Sequence, residues 1–300
     1  MNKYIPSLRL RTLPLSMSGI ILGTGLAYHN SFFPLGAEAG IRFWFIFGLS
    51  ICTTLSLQIL SNLSNELGDA LKGTDAAQTG REAYGLQAGT VTIAEIRRLI
   101  VLFIGLSVLF GTSLVLTAFL RSPLSDVRSA FTNIVLFLAF GALAIVGAMT
   151  YTLGKHSYGY IGLGDLGVFL FFGLLSTMGA YYLQTQTLSV EATLASVAIG
   201  LPCVGVLNLN NVRDMTNDRA HGKRTFASLL GQKGAKIYHI ALLAGSLVLF
   251  ACIGHLWALL IAPVWAWHII YIFRHDGHDL DKQMPVLMFS TLITAILACI

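Results

Sequence analysis

The segment NELGDALKGTD (Asn65–Asp75) places one amide, three acids and a lysine within eleven residues, shortly after the apolar run FWFIFGLSICTTLSLQIL. Gln58, Asn62, Asn65 and Asp69 recur at i, i+4, i+7 and i+11, which is one continuous face of an α-helix. The stripe begins inside an apolar run and ends at its mouth. Polar groups at that depth are costly in lipid, so they are expected to face a cavity or another helix. For Gln58 and Asn62, hydrogen bonding between helices is an equally ordinary use.

A second segment repeats the pattern. In NNVRDMTNDRAHGK (Asn210–Lys223), Asn210-x3-Asp214 matches Asn65-x3-Asp69, and Asp218 adds an acid one turn on. If the two spans that carry these segments pack together, the carboxylates of Glu66, Asp69, Asp214 and Asp218 meet in one cavity. Unpaired, they would repel and raise one another's pKa. A hard divalent cation resolves this, and Mg2+ favours a few carboxylates together with waters and substrate phosphates. Lys72, Arg213, Arg219, Lys223 and Arg224 lie among the acids. Acids for a metal beside fixed cations are the arrangement expected for a diphosphate. An amphiphilic diphosphate fits best, its head at the metal and an isoprenoid tail in the bilayer.

The rest of the chain supplies the setting. Of its 300 residues 55% are hydrophobic and only 11% charged, where a soluble domain carries about 25% charged. This composition points to an all-α integral membrane protein in a single domain over 1–300. Nine apolar spans are expected near 13–30, 43–63, 98–120, 130–150, 165–183, 192–212, 237–254, 256–273 and 284–300. The first resembles a signal peptide but lacks a convincing cleavage site, and is read as a retained span. With the N-terminus inside, 16 Lys and Arg fall in the tail and alternate loops, while Arg42, Arg121 and Arg128 fall in the opposite ones. That bias predicts a multi-pass protein of the cell membrane with its N-terminus and both acidic segments cytoplasmic. It also accounts for the net charge of +5, so no nucleic-acid partner is needed, and no obligatory protein partner is evident. Cys52, Cys203, Cys252 and Cys299 lie in apolar runs without metal-type spacing and read as packing residues. His221, His275 and His278 read as loop residues, and Asp165 reads equally as an N-cap or as a functional group beside the Tyr151–Lys155 loop.

The two acidic segments resemble the NDxxDxxxD and DxxxD motifs of the UbiA superfamily of intramembrane prenyltransferases. Tyr151-x3-Lys155 is similar to the YxxxK element of that family. The resemblance spans nearly the whole chain and implies a bundle of about nine transmembrane helices, with the acidic motifs after helices two and six. Within the superfamily, QILSNLSNELGDALKGTD, YGYIGLGDLGVFLFFG and LNLNNVRDMTNDRAHGKRTFASLLG are similar to the branch that prenylates 1,4-dihydroxy-2-naphthoate. The resemblance implies Mg2+ held by Asn65, Asp69, Asn210, Asp214 and Asp218. Lys72, Lys155, Lys223, Arg213 and Asn62 would receive the diphosphate of a polyprenyl diphosphate, and Tyr151 would shape the pocket. The first motif departs from the family: Glu66 stands where Asp is usual, and Lys72-Gly73 stands where the third acid would fall. Asp75 is then expected to supply that carboxylate, with Glu66 as a further ligand. The implied product is demethylmenaquinone, with diphosphate and CO2 released. Prenylation of another aromatic such as 4-hydroxybenzoate, or an ion-coupled transporter with acids binding its ions, remain alternatives at this point.

Overall fold

The computed structural model describes residues 3–31, 37–74, 83–120, 126–155 and 157–300. Its regular structure is helical, with no strand among the described residues. The principal helices are α1 (Leu13–Ser31), α2 (Ala37–Leu71), α3 (Ile93–Phe119), α4 (Val127–Thr150), α5 (Gly164–Thr185), α6 (Val190–Arg213), α7 (Phe226–Cys252), α8 (Leu256–Arg274) and α9 (Gln283–Leu297). Among the described residues, eight helical segments are long and apolar enough to cross a membrane. Helix α1, at the first expected span, is 19 residues long and carries the polar Tyr28-His29-Asn30 near its end. It is packed between α5 and α9, with Leu22 and Leu26 fully buried.

Helix α2 runs well past its expected end. Hydropathy fades after residue 63, yet Leu60, Leu63 and Leu67 keep an apolar stripe that packs on Ile96 and Ile100 of α3. Tertiary burial therefore carries the helix through Asn65, Glu66 and Asp69. Gly73 ends it: φ is +75°, Gly73 N–H bonds to Ala70 O, and Thr74 N–H bonds to Asp69 O. This is a Schellman cap, which needs a left-handed residue just past the helix. It explains why glycine, and not an acid, occupies that position.

Helix α6 ends at Arg213, but the turn at Asp214 barely interrupts its pitch. Asp214 N–H bonds to Asn210 O and Asp218 N–H to Asp214 O, so the short helix Met215–Ala220 prolongs the face that carries Asn210. Helix α2 lies along α3, and α6 lies along α7, α5 and α1. The two acidic helices are therefore separate walls, facing each other across a cavity bounded also by α1, α3, α4 and α5.

Two contacts fix α6 in place. Where it crosses α5, the π-helical turn Phe169–Leu175 brings Gly173 against Gly200, the close approach that small residues permit between membrane helices. Further along, a buried polar chain links four helices. Gln283 Oε1 accepts from His268 Nδ1 (2.8 Å), so His268 Nε2 accepts from His239 Nε2 (3.1 Å), and His239 Nδ1 accepts from Asn208 Nδ2 (3.4 Å). Each imidazole is neutral and held in one tautomer by its neighbours, as a buried polar group in lipid requires.

The glycine crossing generates a test. A Cβ at Gly173 would meet Gly200 Cα at 2.7 Å. Gly173→Ala should destabilise the bundle by about 1–3 kcal/mol through overpacking. Gly105→Ala, with open space at its Cβ, should be neutral or slightly stabilising. Thermal unfolding of both variants in detergent measures the difference.

Candidate active site

Two joined spaces lie between α2 and α6. The larger is a cavity of about 470 Å³. Phe137, Phe140, Phe171 and Phe172 and aliphatic residues of several helices line it, interspersed with hydroxyl side chains such as Thr53, Ser61 and Ser107. Its polar rim is Gln58, Asn62, Asn65, Tyr151, Tyr158 and Asn210. The smaller space, about 40 Å³, is almost wholly polar. Asp69, Thr74, Asn210, Arg213, Asp214, Asn217, Asp218 and Lys223 line it, together with Arg9 and Tyr84. Asn210 belongs to both walls, so the polar pocket opens beside the apolar chamber.

The helix ends deliver these groups. Asp69, in the last turn of α2, accepts from the Tyr160 hydroxyl at 2.8 Å. The same hydroxyl meets Thr74 Oγ1 at 2.7 Å. Lys72 Nζ sits 3.7 Å from the Tyr160 ring centre and bonds to Ser157 Oγ, while Lys223 Nζ lies 5.6 Å from the same ring. Opposite them, Arg213 grips Asp214 through two parallel bonds of 2.8 and 2.7 Å, and also bonds to Asn210 Oδ1 and Asp281. Such a fork fixes a carboxylate in direction as well as in charge. Asn217 Nδ2 donates to Thr74 O at 3.0 Å, tying the second acidic segment to the end of the first.

Three acids and three bases line the pocket, Asp69, Asp214 and Asp218 against Arg9, Arg213 and Lys223. Burial alone would lower the Lys223 ammonium, but Asp218, Asp69, Tyr151 and Asp214 outweigh it and hold it above its ordinary range. Asp218, bonded to that lysine at 3.3 Å, is nevertheless pushed up to about 6 by burial, with Asp214 adding to the effect. Its Oδ2 is buried without a hydrogen-bond partner. An unpartnered carboxylate oxygen beside Asp69 and Asp214 is a donor that a divalent cation can take. Burial also lowers Lys72 and raises the phenols of Tyr151 and Tyr160. Among the described residues, no three His, Cys, Asp or Glu side chains converge closely enough to hold a metal ion by themselves. Mg2+ does not need such a cluster, since it keeps waters and takes oxygens from a phosphate.

The structure brings together Asp69, Asn210, Arg213, Asp214, Asp218 and Lys223, with Lys72 beside them. Other expected residues lie elsewhere. Asn65 lines the apolar chamber and accepts from Thr152 Oγ1 at 3.1 Å. Asn62 also lines the chamber, but its amide donates to Leu8 O and Thr12 Oγ1. Glu66 is fully buried and points the other way, where Oε1 accepts from Ser7 Oγ (3.2 Å) and Leu86 N (2.7 Å). Tyr151 stands at the chamber wall with its ring edge-on to Tyr158. Lys155 is exposed on the loop after α4 and is not among the pocket residues. Asp75 falls outside the described residues. Arg9, Tyr84, Tyr160 and Asn217 line or brace the pocket without having been singled out as site residues.

The sequence matches the UbiA prenyltransferase family over residues 20–293. The chain belongs to that family. Family membership removes the transporter alternative. Among its relatives is the 1,4-dihydroxy-2-naphthoate octaprenyltransferase of Escherichia coli K12, 40% identical over 280 residues that cover 90% of this chain and 85% of the relative. The protein of the same name from Haemophilus influenzae is 35% identical, covering 96% and 91%. The fold is also that of a UbiA homolog from Archaeoglobus fulgidus, a structure bound to DMAPP and Mg2+. It superposes with a TM-score of 0.62 at 15% identity, covering 99% of each chain. A UbiA homolog from Aeropyrum pernix K1 in its apo form gives 0.59 at 17% identity, covering 97% and 96%. In this UbiA-family bundle both acidic motifs sit at one end of the helices. There Arg11 and Arg213 share Asp281, and Lys236 meets Asp276.

Asp218 gives the pocket a pH signature. Its folded value of about 6 exceeds the ordinary 3.8, so the folded chain binds the proton more tightly than the unfolded one. The stability this contributes is complete below the unfolded value and is lost as pH rises through the folded one. Without divalent cations, the melting temperature should fall between about pH 4 and pH 7. Asp218→Asn should flatten that part of the curve, as read by thermal scans in detergent.

Proposed function

We propose that this chain transfers a polyprenyl group from polyprenyl diphosphate to 1,4-dihydroxy-2-naphthoate, releasing diphosphate and CO2. The observation that carries the reading is a polar pocket next to an apolar chamber, with Asn210 in the wall of both. A diphosphate head and an isoprenoid tail need those two environments side by side. The acceptor follows from the names of the relatives at 40% and 35% identity.

Each residue has a place in that reaction. Asp69, Asn210, Asp214 and Asp218 would hold Mg2+, directly or through water. Bound there, Mg2+ neutralises the diphosphate oxygens and makes them a better leaving group. Lys223, locked in its charged form by the acids around it, faces the same oxygens, and Lys72 is held close by Tyr160. Arg213 keeps the Asp214 carboxylate fixed. These charges are in place before the leaving group departs, so no reorganisation is needed as charge develops. The C1–O bond of the prenyl diphosphate breaks with its electron pair going to diphosphate. The allylic cation left behind is shielded from water by the phenylalanine-lined chamber. The ring carbon that bears the acceptor's carboxylate attacks it, and the C–CO2 bond then breaks to restore the aromatic ring. CO2 leaves where a proton would in an ordinary aromatic substitution, so this step needs no general base. The product is the hydroquinone form of demethylmenaquinone.

The protein is a multi-pass membrane protein, and its active-site end faces the cytoplasm. The Lys and Arg asymmetry supports that orientation. No protein partner is required.

The test uses purified protein in detergent with a long-chain polyprenyl diphosphate, with and without Mg2+. Acceptors are 1,4-dihydroxy-2-naphthoate, 4-hydroxybenzoate or none. Diphosphate and CO2 should appear together only with Mg2+ and the naphthoate. Release with 4-hydroxybenzoate alone would overturn the acceptor assignment. Asp69→Ala and Asp214→Ala should each lower turnover about a hundredfold or more while the bundle stays folded.

A further inference from the structure

The hydrogen bonds behind the α2 wall of the chamber run in one direction and stop short. Leu8 O and Arg9 O are backbone carbonyls, which can only accept. Asn62 Nδ2 donates to Leu8 O at 2.9 Å, and the Thr12 hydroxyl donates to Arg9 O at 2.9 Å. With its proton committed, Thr12 Oγ1 can only accept, and it takes Asn62 Nδ2 at 3.0 Å and Gln58 Nε2 at 3.2 Å. Asn62 Oδ1 therefore faces Gln58, where it accepts from the same Nε2 at 3.0 Å. Two backbone carbonyls thus orient both amides. Neither amide can be reversed without setting oxygen against oxygen, and the Gln58 nitrogen is fully used.

What remains is Gln58 Oε1. It is buried and has no hydrogen-bond partner within the chain. Gln58 is only 9% exposed, yet it belongs to the chamber wall, about two turns deeper along α2 than Asn65. A buried acceptor left without a donor is costly. In the same wall, Ser50, Thr53 and Ser107 give their protons to Ile46 O, Leu49 O and Phe103 O of their own helices. The isoprenoid tail of a prenyl diphosphate has no donor to offer. A 1,4-dihydroxy-2-naphthoate has two hydroxyls. The 1-hydroxyl is ortho to the carboxylate and closes an internal hydrogen bond with it, which leaves the 4-hydroxyl as the free donor.

We infer that Gln58 recognises the aromatic acceptor in the chamber, its Oε1 accepting the proton of the ring hydroxyl that lies away from the carboxylate. The inference rests on the proposed prenyl transfer and adds to it what selects the ring and fixes its orientation. A network that has already oriented the amide leaves little side-chain freedom to lose on binding. A wall built to bond a hydroxyl also rejects a ring without one, because its own buried oxygen then stays unpaired.

The test crosses one substitution with one change of ligand. The probes are 1,4-dihydroxy-2-naphthoate and 1-hydroxy-2-naphthoate, which lacks the 4-hydroxyl. Their dissociation constants are measured by calorimetry without oxygen, in the presence of Mg2+ and inorganic diphosphate. The wild type should bind the dihydroxy compound about tenfold more tightly than the other. Gln58→Met keeps the length of the side chain but removes the oxygen, and should bind the two alike. Its KM for 1,4-dihydroxy-2-naphthoate should rise by a similar factor, while that for polyprenyl diphosphate stays unchanged. Gln58→Glu keeps acceptor oxygens at that point and should retain the preference, since any repulsion of the carboxylate acts on both ligands equally. Equal constants for the two naphthoates on the wild type would overturn the inference, whether or not the variants fold. So would a preference that survives undiminished in folded Gln58→Met, because water and not the acceptor would then satisfy Oε1. Either result leaves the prenyl transfer standing. A wild-type chain that neither binds the naphthoates nor turns them over with a polyprenyl diphosphate would overturn both.

Discussion

Three carboxylates gathered in one polar pocket with the cations that offset them govern the rest of the structure. Asp69 and Asp214 end two membrane-spanning helices, and Asp218 follows within one turn. Bringing them together costs free energy unless positive charge arrives with them. Arg213 and Lys223 pair with Asp214 and Asp218, and the Oδ2 of Asp218 is left without a partner. Carboxylates interleaved with fixed cations suit a metal–diphosphate pair.

That requirement accounts for features that are otherwise unconnected. Helix α2 extends past its apolar core because it must carry Asp69 to the mouth, and the Gly73 cap stops it there. Helices α2 and α6 do not pack directly, since the space between them is the chamber. Tight packing is displaced to the rear of α6, at the Gly173–Gly200 crossing and the His239–His268 chain. Rigid walls on that side let the front remain open without collapse.

Much of this was legible in the sequence. The apolar runs gave the helices, and the repeated Asn-x3-Asp gave both halves of the pocket, because each half is local and helical periodicity relates its residues. Residues brought in by distant folding were not legible. Arg9 and Tyr84 are separated from Asp218 by most of the chain, and Tyr160 reaches Asp69 only because the loop after α4 folds back. Glu66 shows the limit of motif reading. It neighbours Asn65, but one residue turns a helical side chain by about 100°, and Glu66 faces Ser7 and Leu86 instead of the pocket. Lys155 fits a motif by spacing, yet its loop leaves it exposed.

The central claim is that the α2 and α6 clusters act as one metal–diphosphate site. The most direct measurement replaces Mg2+ with Mn2+ and records the electron paramagnetic resonance of the metal in the presence of inorganic diphosphate. The account predicts phosphorus hyperfine coupling in the wild-type protein, lost on Asp69→Asn alone and equally on Asp218→Asn alone. Coupling that survives either substitution undiminished would contradict it, because the metal and the diphosphate would then be held by one cluster without the other.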